Sequence, residues 1–77
     1  MATVRYFAAA EEFAGRSEET RDERDLGALR AALTADHPAL ARILPRCAVL
    51  VDGARADDGT LLSAGTVVDV LPPFAGG

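Results

Sequence analysis

Asp25-Leu26-Gly27-Ala28-Leu29-Arg30-Ala31-Ala32-Leu33-Thr34-Ala35-Asp36-His37-Pro38 reads as one helix with both ends marked. Asp25 carries the short carboxylate that suits a helix N-cap. Leu26, Leu29 and Leu33 fall at i, i+3 and i+7 and draw a leucine stripe down one side, while Ala28, Arg30, Ala31 and Ala32 occupy other positions. Pro38 disfavours helical geometry in the residue before it, so the helix is expected to stop near His37. Such a stripe must pack on something, and the flanking segments supply candidates.

Upstream, Thr3-Val4-Arg5-Tyr6-Phe7 is rich in β-branched and aromatic types and predicts a strand running to about Ala8. Ala9 to Ala14 favours a short helical turn that Gly15 is placed to end. Ser17 to Asp25 is almost entirely polar, and its pattern fits either a loop or an exposed edge strand paired with the first. Downstream, a short turn around Leu40 to Leu44 leads to a strand over Arg46 to Val51. Asp52-Gly53 is a strong hairpin signal, and Ala54-Arg55-Ala56 should return beside that strand. Two further turns, Asp57-Asp58-Gly59 and Ser63-Ala64-Gly65, precede the strand Thr66 to Leu71, which Pro72-Pro73 ends.

The order is strand, possible edge strand, helix, strand, short strand, strand. This is an α+β pattern with one main helix packed across a sheet. If Val68 and Val70 face the helix, Val67, Asp69 and Leu71 face outward. An apolar outer face suits a partner, and scattered surface aliphatics are equally normal.

A chain of 77 residues has room for one core and not for a large internal active site. Its composition, 49% hydrophobic and 26% charged, is that of a globular domain expected to fold without a partner. No apolar run reaches the length of a membrane span, and no secretion signal opens the chain, so a cytoplasmic protein with no membrane role is expected. The net charge is −4 and all eight cationic side chains are scattered arginines, which argues against nucleic acid. There is no lysine, so the chain cannot be joined to a copy of itself through a side-chain amide. Cys47 has no cysteine partner and reads as a buried strand residue, and His37, the sole histidine, as a helix-end residue. The carboxylate pairs Glu11-Glu12, Glu18-Glu19 and Asp57-Asp58 read as solvated faces and turns. No phosphate-binding loop, His/Cys cluster or Ser-His-Asp set is present.

The sequence finishes Leu71-Pro72-Pro73-Phe74-Ala75-Gly76-Gly77. Two final glycines are weak evidence alone. Here they follow a diproline that stops the last strand, so residues 72–77 are expected to project as a thin arm.

Val4-Arg5-Tyr6-Phe7-Ala8 with Glu12 and Gly15, Leu29 to Leu40 with His37-Pro38, Val51-Asp52-Gly53, Asp58-Gly59, Gly65 and the last six residues together resemble the ThiS/MoaD family of ubiquitin-like sulfur carriers. The likeness covers nearly the whole chain, and its most specific piece is Pro72 to Gly77. It implies a ubiquitin-like β-grasp fold over residues 1–77, a mixed sheet with one main helix and a flexible Gly-Gly tail. Two departures, the polar Ser17 to Asp25 stretch and Thr66 after Gly65, leave the tail untouched.

The resemblance further implies that Gly77 carries the chemistry, with Phe74, Ala75 and Gly76 as the tail that delivers it. An ATP-dependent activating enzyme would adenylate the terminal carboxylate and a sulfur donor protein would convert it to a thiocarboxylate. The expected pathway is molybdopterin (molybdenum cofactor) biosynthesis, with the large subunit of molybdopterin synthase as partner and this chain non-catalytic alone. No cofactor or metal would be bound, ATP being used by the partner. Phe7, Val67, Leu71 and Phe74 are the expected partner anchors. Carriers for cysteine or thiamine-thiazole biosynthesis, a ubiquitin-like protein modifier and a plain binding module are the alternatives.

Overall fold

The computed structural model describes residues 1–73. The capped helix stands as its sequence predicts. In α2 (Leu26–Asp36), Asp25 Oδ1 accepts a hydrogen bond from the Ala28 N–H at 2.8 Å, and Leu26, Leu29 and Leu33 are buried. His37 then serves as both the last cap of α2 and the entry to α3 (Pro38–Ala41), with proline in its first turn where a missing N–H costs nothing.

The leucines pack on one face of a five-stranded sheet of order β2-β1-β5-β3-β4, whose strands are β1 (Ala2–Tyr6), β2 (Glu18–Arg21), β3 (Ala48–Val51), β4 (Ala54–Arg55) and β5 (Val67–Leu71). β1 and β5 run parallel down the centre, and the other pairs are antiparallel. Alternation sorts the side chains: Val4, Tyr6, Val49, Val68 and Val70 join the leucine stripe in one core. A parallel central pair needs a long crossover, and the chain between β1 and β5 includes α2 and the outer strands.

Local chemistry moves several boundaries. β1 ends at Tyr6 rather than near Ala8, because Ala8 turns to φ 50° and ψ −126° and opens α1 (Ala9–Ala14). Gly15, at φ 75°, closes that helix with its N–H on the Glu11 carbonyl. The strand expected from Arg46 starts at Ala48, because Leu44–Arg46 forms a 3-10 turn around Pro45. Asp52 and Gly53 both take positive φ, the geometry of a tight hairpin turn, and Asp52 Oδ1 also accepts the Val67 N–H at 2.9 Å. The polar stretch after Ser17 contains an edge strand, β2, paired with β1. No helix among the described residues is long and apolar enough to cross a membrane.

Candidate functional site

β5 leads directly into the tail. Its last residue, Leu71, is half-buried, Pro72 is buried and Pro73 exposed. The Phe7 N–H, just past the end of β1, donates to the Val70 carbonyl at 3.1 Å, so Phe7 stands at the end of the sheet from which the chain departs. Its ring is 39% exposed. Phe74, Ala75, Gly76 and Gly77 lie outside the described residues.

Of the expected partner anchors, Phe7, Val67 and Leu71 all lie on the face of the sheet away from α2. That face is less apolar than the sequence suggests, because Arg5 and Asp69 face one another across β1 and β5. The guanidinium meets the carboxylate with two bonds, Nε to Oδ1 at 2.7 Å and Nη2 to Oδ2 at 3.0 Å. It also lies 5.5 Å from the centre of the Phe7 ring. Hydrogen bonding to Asp69 raises the Arg5 pKa, so it stays charged. Phe7 and Leu71 therefore sit on the tail side of an ion pair and Val67 on the other side. A sequence reader could have found this pair only by knowing the register of two strands 64 residues apart.

The opposite face holds a second polar group. Glu19, on β2, points inward and receives Tyr6 Oη–H, His37 Nε2 at 2.7 Å and Arg21 Nη1 at 3.3 Å. Arg21 continues to Glu23 at 3.0 Å and to Asp36 at 2.9 Å. The His37 ring meets Tyr6 edge-on at 6.1 Å. Burial would push the Glu19 carboxyl up, and the bonds from Tyr6, His37 and Arg21 outweigh it and hold it below the usual carboxylate range. Burial and the same carboxylate keep the Tyr6 phenol protonated well past its ordinary range. With no cavity beside it, this cluster ties the edge strand to the end of α2. Cys47 is buried and burial raises its thiol pKa, as befits an inert core residue. Among the described residues no three His, Cys, Asp or Glu side chains gather as a metal site.

A mixed sheet of this order, gripping one main helix and ending in a strand that runs into the C-terminal segment, defines the ubiquitin-like β-grasp class. The chain belongs to the ThiS family, whose model matches residues 4–77. Its fold is similar to the crystal structure of SAMP1 from Haloferax volcanii, at 29% identity over 99% of this chain and 98% of that one, with a TM-score of 0.77. It is equally similar to a chain of the protein–protein complex of subunits 1 and 2 of molybdopterin-converting factor from Helicobacter pylori, at 30% identity over 99% and 97% of the two chains and a TM-score of 0.77. The solution structure of SAMP1 from Methanosarcina acetivorans overlays with a TM-score of 0.86 at 23% identity, over 99% and 95% of the two chains, a likeness of fold. No curated protein matches the sequence.

Proposed function

We propose that this chain is a sulfur carrier for molybdopterin biosynthesis, working as the small subunit of molybdopterin synthase with Gly77 as the carrying residue. The observation that supports this most is the family match, which runs through Pro72-Pro73-Phe74-Ala75-Gly76-Gly77 to the last residue. The likeness over full length to a chain of the Helicobacter pylori complex favours a large-subunit partner.

The chemistry follows from the carboxylate. A free carboxylate is a poor electrophile, so its oxygen first attacks the α-phosphorus of ATP within an activating enzyme and pyrophosphate leaves. A sulfur nucleophile from a donor protein then adds to the acyl carbon, AMP departs with the carbon–oxygen bond, and a thiocarboxylate remains. That group is ionised and strongly nucleophilic at neutral pH, ready to pass sulfur to the pterin precursor held by the larger subunit. Gly76 and Gly77 let the tail pass through a channel that a Cβ would obstruct. Phe7, Leu71 and Phe74 serve as anchors beside the tail, with Val67 across the ion pair.

The likeness to the small archaeal modifier SAMP1 favours a second reading, in which the activated glycine is passed to a lysine of another protein. Incubation with ATP, activating enzyme, sulfur donor and the large subunit separates the two. The carrier gains the mass of sulfur in place of oxygen and loses it to the pterin precursor, whereas a modifier ends in an amide-linked conjugate.

A further inference from the structure

The register of the sheet lines up one row of side chains across the outer face. Arg5 stands opposite both Glu18 of β2 and Asp69 of β5, Asp69 opposite Leu50 of β3, and Leu50 opposite Arg55 of β4. Residues directly across a ladder share a face, so these five form a continuous belt in the order acid, base, acid, leucine, base. Arg5 is satisfied twice over by Asp69. Arg55 is exposed and, among the described residues, makes no ion pair. Half-buried Leu50 lies between it and Asp69, and Leu71 pairs with Ala48 one row nearer the tail. The face thus offers an unpaired guanidinium next to aliphatic surface, with a fixed ion pair beyond.

We propose that this belt is the specificity key by which the chain docks on the enzyme that acts on Gly77: a surface of that enzyme presents a carboxylate to Arg55 and aliphatic groups to Leu50 and Leu71. The Arg5–Asp69 pair sets the lateral register, since an apolar partner group laid over it would strand two charges away from water. A planar guanidinium suits this role, because it binds a carboxylate with two bonds and is more weakly hydrated than an ammonium. Any protein that takes the tail must lie against the face from whose end the tail leaves, which places the belt within its reach. This inference rests on the carrier reading for the identity of the enzyme.

The test reads binding apart from chemistry. Isotope-labelled full-length chain is titrated with the ATP-dependent activating enzyme from the same organism, without ATP, while backbone amide and arginine Nε–H signals are followed. Shifts should cluster at Arg5, Leu50, Arg55 and Asp69. Arg55→Glu should weaken binding roughly tenfold or more, Arg55→Lys much less, and Arg42→Glu, the same charge reversal on the exposed end of α3, hardly at all. Equal losses for Arg55→Glu and Arg42→Glu, an unchanged affinity for Arg55→Glu, or no binding would overturn the proposal. Pyrophosphate release on adding ATP is scored separately. Binding through the belt without release would refute the carrier reading and leave the key standing.

Discussion

Ala8 occupies backbone geometry that suits glycine. At φ 50° and ψ −126° it fills the first central position of the turn closed by the Ala10 N–H on the Phe7 carbonyl at 2.9 Å. A side chain there costs of order 1–3 kcal/mol, less the entropy that glycine would add to the unfolded chain. Ala8→Gly should therefore stabilise the fold by roughly 1 kcal/mol, measured by urea unfolding. A loss of stability would mean that the turn is not held as described. Nothing in Phe7-Ala8-Ala9 announces this geometry, because alanine is a helix former and the strain is imposed by the Phe7–Val70 bond on one side and α1 on the other. That is why the sequence predicts a strand running one or two residues too far.

At the scale of elements, legibility followed how local each signal was. The cap at Asp25, the stripe of Leu26, Leu29 and Leu33 and the stop at Pro38 all lie within one short window, and all three stand in the structure. Leu33→Ala should cost roughly 2–5 kcal/mol by leaving a cavity against the sheet, while Leu61→Ala, at a side chain 77% exposed, should be nearly neutral in the same urea assay. The edge strand β2 was ambiguous because its support comes from elsewhere in the chain: Tyr6, His37 and Arg21 gather on Glu19. Since those bonds lower the Glu19 pKa in the fold, the unfolded chain takes up a proton there first as pH falls. The stabilisation is complete above the unfolded carboxylate pKa and is lost as pH drops through the lowered folded value. Unfolding experiments from neutral pH downward should show that loss, and Glu19→Gln should flatten this part of the profile. An unchanged slope would show that the cluster does not hold β2 in solution. The Arg5–Asp69 pair was hidden for the same reason, its two halves being joined only by the parallel register of β1 and β5.

For the whole molecule, the account divides labour between a fold that places the C-terminal segment beside a docking face and a terminal group that carries the sulfur. Cys47 is the one other sulfur nucleophile in the sequence, and it is buried. Removing it as Cys47→Ser leaves a chain in which any alkylation at neutral pH must report on the tail. Intact-mass analysis of that variant, after exposure to ATP, the activating enzyme and a sulfur donor, tests the central claim most directly. The account predicts a species heavier by the exchange of one oxygen for sulfur, with both the increment and the alkylation mapping to the C-terminal peptide and absent after deletion of Gly77. A chain whose mass stays unchanged and whose tail takes no alkylating reagent would contradict it.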